Sequence, residues 1–499
     1  MEESGNNSIQ VSGSLIAKNT IYNLSGNLIP LIFALFLIPP VIKGLGTERF
    51  GILSIAWMII GYFSFFDFGI GRGLTKIISE RVGTKHTEQI PPIFWTSLTI
   101  MASISLLAAI VLSIFVPNFV NVFKISKNLQ EETKTIFYLL ALSIPIVTTT
   151  TGLRGLLEAY QKFAIINVMK VFLGMFTFLG PVLVLIITNS LFWIIAFLIA
   201  TRIIIWILYL YQCLKTSEEL RKEIKINFIT IKPLLKFSMW ITLGNIIVPI
   251  IFYSDRFLIG AIISASAITY YVTPFEVVIR LMVIPIALST VLFPVFSATF
   301  TNNPDATLKL FRRGVKFIVI VMYPVIFIIV AFANEGITLW LGSEFASKSS
   351  LILQLLAIGI FMNSVSLIPT NFFEGIGKPR ITALIVLVEL PFYLLSMWLA
   401  ITYSGINGAA FVFMVAATLN VSALYLIAYK LYSIKVKFDI KEFIMIFLII
   451  ALVFPFIVNS LYLKLIFALC FSVIFPLVAW KYFLSSEEKL FLFQKLKFR

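Results

Sequence analysis

The sequence predicts an all-α polytopic membrane protein of about 14 transmembrane helices, arranged as two pseudo-symmetric six-helix lobes followed by a C-terminal helix pair. Three observations predict it. The 499 residues are 60% hydrophobic and only 12% charged, with a mean hydropathy of +1.02, which is too apolar for soluble domains of ordinary makeup. Apolar windows of about 20 residues, enough to cross a hydrocarbon core of roughly 30 Å, recur along the whole length. Finally, Gly26-Asn27 followed by Pro30-Leu31-Ile32-Phe33 returns as Gly244-Asn245 followed by Pro249-Ile250-Ile251-Phe252, the Asn pair and the Pro pair standing at almost the same offset.

The spans read at 14–42, 50–82, 93–116, 135–158, 164–187 and 191–214, then at 236–263, 267–300, 308–333, 350–374, 379–403 and 407–432, with 440–460 and 463–483 as an appendix. The second and eighth exceed what a crossing needs and should tilt or project. Between the sixth and seventh lies the longest polar stretch expected in the cytoplasm, which predicts a first lobe over 1–214, a linker over 215–235 and a second lobe over 236–432, with 433–499 holding the last helix pair and a tail. A second internal match agrees: Glu158-Ala-Tyr-Gln-Lys162 closes the fourth span and Glu374-Gly-Ile-Gly-Lys378 the tenth, at close to the same offset again. Two six-span halves in the same orientation imply an axis along the membrane normal.

Charge fixes the expected orientation. With both ends in the cytoplasm, 27 of the 39 Lys and Arg fall on that side, seven on the other and five inside spans, the asymmetry of the positive-inside rule. The net charge of +16 therefore reports topology rather than nucleic-acid binding, because the cations sit at span ends and not on aromatic-interleaved soluble patches. Cys213 and Cys470 fall within or beside apolar spans and predict neither a disulfide framework nor a metal site; no cofactor is expected. The polar first thirteen residues, followed by a span carrying Asn19, Asn23 and Asn27, show no cleavage pattern of a signal peptide. The last fifteen residues mix Leu and Phe with Lys and Arg and suit an interfacial tail on an anionic leaflet.

Polar groups inside the spans are the candidates for function. Pro30, Pro39, Pro40, Pro249, Pro274, Pro285 and Pro294 permit kinks. Gly69, Gly71 and Gly73 surround Arg72 just after Asp67, which fits either close helix packing or a cavity-lining segment. Asn19, Asn23 and Asn27 share one face of the first span at i, i+4, i+8 and suit either sugar hydroxyls or helix-to-helix hydrogen bonds. At membrane depth Arg72, Lys170, Arg202, Arg256 and Arg280 stand against Asp67, Asp255, Glu276 and Glu389. Such charges are costly, about 2.5 to 3.5 kcal/mol each on insertion scales, and so face partners or a path. Adjacent Asp255 and Arg256 point apart, whereas Glu276 and Arg280 can pair at i, i+4.

Leu45-Gly-Thr-Glu-Arg-Phe-Gly51, Phe66-Asp-Phe-Gly-Ile-Gly-Arg-Gly73, Arg154-Gly-Leu-Leu-Glu-Ala-Tyr-Gln-Lys-Phe163 and Ser254-Asp-Arg-Phe-Leu-Ile-Gly260 resemble the polysaccharide transporter family, the Wzx-type lipid-linked oligosaccharide (O-antigen) flippases of the multidrug/oligosaccharidyl-lipid/polysaccharide exporter superfamily. The resemblance implies a bacterial inner-membrane transporter that moves an undecaprenyl-diphosphate-linked oligosaccharide by alternating access, and no enzyme. It also implies a cavity lined by spans one, two, seven and eight. Arg256, Arg280, Arg72 and Arg154 would meet the diphosphate, whose oxygens a guanidinium fork matches. Asn27 and Asn245 are the candidate sugar contacts, and Asp67 and Glu276 the carboxylates for proton or sodium coupling. Ion pairing between spans seven and eight is the competing account of these charges. Lys170 and Arg202, on spans five and six, read as structural or lipid-contacting. Expected partners are the lipid-linked oligosaccharide, membrane lipids, a coupling ion and a polysaccharide polymerase complex.

Alternatives are a peptidoglycan lipid-precursor flippase, which shares carrier and span count, and a multidrug antiporter, which predicts twelve spans and excess carboxylate. A polymerase, ligase or acyltransferase would need a positioned acid, base or nucleophile beside a sizeable outer loop. The single histidine, His86, lies in a short cytoplasmic loop, and the longest outer loop is about 117–134.

Overall fold

The computed structural model describes residues 13–63, 69–84, 86–222, 224–227, 250–251, 253–300, 304–432, 458 and 460–483; for residues 13–28 and for Arg72 the backbone alone is described. The described residues form helices joined by short turns, with no strand among them. Nine helices among the described residues are long and apolar enough to cross a membrane. One of these, Pro379–Tyr432, is two helices joined at a non-helical Gly405 (φ 60, ψ −147), which separates the eleventh and twelfth spans. The protein is thus an all-α, multi-pass membrane protein. The thirteenth span, 440–460, apart from residues 458 and 460, and the last fifteen residues lie outside the described residues.

Contacts divide the chain into two compact units, Met1–Thr269 and Tyr270–Arg499. In the first unit, α1 (Gly13–Phe63) bends at Gly46 (φ 76, ψ 166), so it holds the first span and the start of the second. The second span was expected as one run over 50–82 but resumes as a separate helix, α2 (Ile70–Gly83), behind Gly69 in the left-handed region (φ 70). Four helices follow: α3 (Ile90–Val122), α4 (Lys127–Ala159), α5 (Phe163–Leu185) and α6 (Leu191–Thr216). α3 and α4 overrun the apolar spans that announce them, because helical hydrogen bonding does not stop at the hydrocarbon boundary.

Ile70, Leu74 and Ile78 form one stripe of α2, buried among Phe94, Leu98 and Met101 of α3 and Leu153, Leu156 and Leu157 of α4. In lipid, such packing rather than apolar transfer holds helices together, and small residues allow it. A Cβ on Gly155 of α4 would come 2.8 Å from the Gly71 carbonyl oxygen, so the backbones of α2 and α4 touch there. At this point it is Gly155 of α4 that permits the close approach, against the backbone next to Arg72. Large apolar side chains left exposed, such as Phe36 and Ile187, stand where the hydrocarbon would be.

A seventh helix, α7, occupies 253–262 and packs within the first unit. Phe257 meets Phe119 and Phe123 edge-on at 5.4 and 5.3 Å. The Lys124 amide donates to the Gly260 carbonyl at 3.1 Å. Beside these bonds Ser266 donates to the Thr47 hydroxyl at 2.8 Å, Thr269 donates to the Thr47 carbonyl at 2.6 Å, and Glu48 accepts from the Ser126 amide and hydroxyl, both at 2.7 Å. Glu132 completes this end of the unit, pairing with Arg49 at 3.2 Å and accepting the Leu191 amide at the start of α6 at 2.8 Å.

α8 (Ala265–Ile279) leads into the second unit and ends in a 3-10 turn, Arg280–Met282, before α9 (Val283–Thr299). Pro285 has no N–H for the Leu281 carbonyl, which accounts for the break within the eighth span. Next come α10 (Pro304–Ala331), the short α11 (Ala333–Leu341), α12 (Ser343–Gly375), α13 (Pro379–Tyr432) and α14 (Leu461–Val478). Phe372 of α12 meets Phe296, Phe311 and Tyr432 at 5.7, 5.3 and 5.4 Å. The last helix belongs to the same unit. Phe471 stacks on Phe327 at 4.0 Å, and the buried Lys464 pairs with Glu335 at 2.9 Å.

Candidate functional site

Arg256 is on α7, one helical turn after Tyr253. It is 4% exposed and its neighbour Asp255 is 1% exposed. The Asp255 carboxylate accepts the Arg256 backbone amide at 2.6 Å, while the Arg256 guanidinium lies 5.1 Å from the centre of the Tyr253 ring. A guanidinium over a ring face gains a cation–π attraction that strengthens as water is removed.

Arg154 lies five residues before the end of α4 and pairs with Glu158 at 3.2 Å, half-exposed. The chain then reverses at a turn in which the Lys162 amide bonds to the Leu157 carbonyl at 2.8 Å and the Gln161 amide to the Glu158 carbonyl at 2.9 Å. In the second unit, Arg280 opens the 3-10 turn and pairs with Glu276 at 3.3 Å, both partly buried. The i, i+4 spacing had predicted that pair. Here a carboxylate holds a guanidinium at a helix break, where a change in one charge alters what the other can bind.

Arg154 and Arg256 fall in the first unit, and Glu276 and Arg280 in the second. Asn27 lies on α1 and Arg72 in the first turn of α2, as backbone positions. Asp67 and Asn245 lie outside the described residues.

Sequence reasoning assigned no role to one polar contact inside the second unit. Asn420 donates to the Glu389 carboxylate at 2.7 Å across the two halves of α13, within a groove of about 580 Å³ lined otherwise by apolar side chains. The signal was present, since both are isolated polar residues in apolar spans, but pairing them requires knowing that the two helices lie side by side.

The polysaccharide biosynthesis protein family matches residues 45–350. A candidate O-antigen transporter of Shigella flexneri is 31% identical over 404 residues, covering 79% of this chain and 93% of that protein. Among solved structures, an inward-facing multidrug resistance MATE family transporter of the MOP superfamily matches with a TM-score of 0.71 at 12% identity, over 83% of this chain and 94% of that one. The lipid II flippase MurJ, in an inward closed conformation, matches with a TM-score of 0.67 at 14% identity, over 93% and 99%. At such identities the structural likeness is one of fold, while the family rests on the sequence matches. The chain belongs to the polysaccharide biosynthesis protein family and has the fold of the MOP superfamily.

Proposed function

We propose that this protein carries an undecaprenyl-diphosphate-linked oligosaccharide across the bacterial cytoplasmic membrane for surface polysaccharide assembly. The observation that carries this reading is the 31% identity to a candidate O-antigen transporter over 79% of the chain. Chemistry supports it. A substrate with a diphosphate needs cations at membrane depth, and Arg256 is a buried arginine on the seventh span.

In this proposal the chain crosses fourteen times with both ends in the cytoplasm. Lobes over 1–214 and 236–432 alternate access about the 215–235 linker, and 433–499 adds the last pair and tail. Arg256, Arg280, Arg72 and Arg154 take the diphosphate; Asn27 and Asn245 take sugar hydroxyls. Asp67 and Glu276 couple transport to a proton or sodium ion. Glu276 stands 3.3 Å from Arg280, so the coupling carboxylate and a diphosphate-binding guanidinium are in direct contact. A polysaccharide polymerase complex receives the product.

A second reading, transport of a peptidoglycan lipid precursor, draws on the MurJ fold covering 93% of this chain. Expression in two bacterial strains, one lacking its O-antigen flippase and one depleted of its lipid II flippase, separates them. Restored surface polysaccharide in the first strain alone supports the proposal; rescue of growth in the second alone supports the alternative.

A further inference from the structure

Three cations stand on neighbouring helices of the first unit, and among the described residues one carboxylate, Glu158, pairs with them. Arg154 on α4, Lys170 on α5 and Arg202 on α6 lie about 8, 10 and 21 Å along their helices from the ends at Ala159, Phe163 and Thr216. Helix alternation puts those three ends on one side of the membrane. The positions thus form a ladder from that side toward the middle.

Arg202 lies on the packed face of α6. It shares that face with Leu198, Ile205 and Tyr209, all buried. The same face reaches α4 through Trp206, which donates to Thr149 at 2.9 Å, and α5 through Tyr209, which donates to the Ile166 carbonyl at 3.4 Å. Arg202 itself makes one hydrogen bond, to the Leu198 carbonyl of its own helix at 3.3 Å, and no acid among the described residues pairs with it. A guanidinium keeps its charge and has five donors to place.

Lys170 shares a face of α5 with the buried Ile166 and Asn167 and with Gly174, which packs against Pro30 of α1, yet it is exposed. It is near enough to Arg154 for their charges to interact, and Arg154 already holds Glu158. The offset that carries Asn27 to Asn245 and Pro30 to Pro249 brings Lys170 and Arg202 within one helical turn of Glu389 and Asn420. In the second unit those residues satisfy each other at 2.7 Å. In the first unit the corresponding positions, Lys170 and Arg202, are both cationic and cannot satisfy each other in that way.

We propose that Lys170 and Arg202 form an anion site inside the first six-span half that takes the diphosphate of the substrate on its way from Arg154 toward the membrane centre. The inference rests on the transport reading above and assigns a substrate contact to two residues outside the set on spans one, two, seven and eight. The shared chemistry is a diphosphate, free or lipid-borne.

Titration of the purified full chain in lipid nanodiscs with farnesyl diphosphate, inorganic diphosphate and farnesol tests it. The parent is expected to bind both diphosphates and to bind farnesol without dependence on either cation. Lys170→Gln and Arg202→Gln should each weaken diphosphate binding about tenfold or more, the loss of one charge-assisted contact. Arg202→Lys should fall between. Thermal melting without ligand reports folding; should Arg202→Gln fail to fold, Lys170→Gln and Arg202→Lys carry the test. Weakening of farnesyl diphosphate alone places the site on the lipid-borne form, and equal weakening of both places it on the diphosphate itself. Variants that bind diphosphate as tightly as the parent overturn this inference and leave the transport reading intact. A parent that binds neither diphosphate overturns the transport reading itself.

Discussion

Gln161 and Gly377 occupy the same place in two helix ends. Each is the third residue after a glutamate, Glu158 or Glu374, and each is left-handed, with φ of 56° and 76°. Each donates its amide to that glutamate's carbonyl, at 2.9 and 3.1 Å, and the lysine that follows closes the turn at 2.8 Å in both. The motif repeated in the two halves of the sequence is therefore also a repeated local structure, built once with glycine and once with glutamine.

The glutamine bears a cost that the glycine does not, since a side chain in the left-handed region costs roughly 1–2 kcal/mol. Gln161→Gly should accordingly raise stability by up to about 1 kcal/mol, and Gly377→Ala should lower it by about as much. Melting of the purified protein in detergent checks both signs.

Gly155 touches the backbone of α2 at Gly71. Gly155→Leu should force those helices apart and cost about 1–3 kcal/mol, the usual penalty of overpacking. The expected readout is a lower melting temperature and less folded protein after extraction. An unchanged yield would mean that the two helices do not meet there.

Lys464 and Glu335 anchor the last helix to the short α11. Lys464→Ala should strand the carboxylate and cost about 3 kcal/mol, and Glu335→Ala in addition should recover most of that. A double-mutant cycle on melting temperature measures the coupling.

Thr47 and Ser266 join loops expected on the outer face, hydroxyl to hydroxyl at 2.8 Å. Alternating access requires such bonds to open. Thr47→Cys with Ser266→Cys should cross-link under oxidation and stop transport, and reductant should restore it. Full transport by the cross-linked protein would show that this contact persists through the cycle.

The membrane-spanning helices among the described residues were legible because apolar length alone announces them, and Glu276 with Arg280 because four residues of helix bring them together. The break at Arg280–Met282 was legible through Pro285. Gly46 and Gly405 fall in the gaps expected between spans, 43–49 and 404–406, and the chain reverses at each. Asn420 with Glu389 and Lys464 with Glu335 are 31 and 129 residues apart. Only the packing of helices reveals such pairs. The early start of α4 was hidden for another reason: residues 127–134 are mostly polar, and polarity does not stop a helix.

Transport by the purified protein in sealed vesicles tests the central claim most directly. A labelled undecaprenyl-diphosphate-linked oligosaccharide is placed in one leaflet, and its appearance in the other is read with a lectin. The account predicts that the parent moves the lipid and that Arg256→Lys retains part of the rate, since a point charge replaces a bidentate fork. Arg256→Ala, matched for folded protein, should move almost none. A parent that leaves the lipid in its original leaflet, or an Arg256→Ala protein that moves it at the parent's rate, would contradict the account.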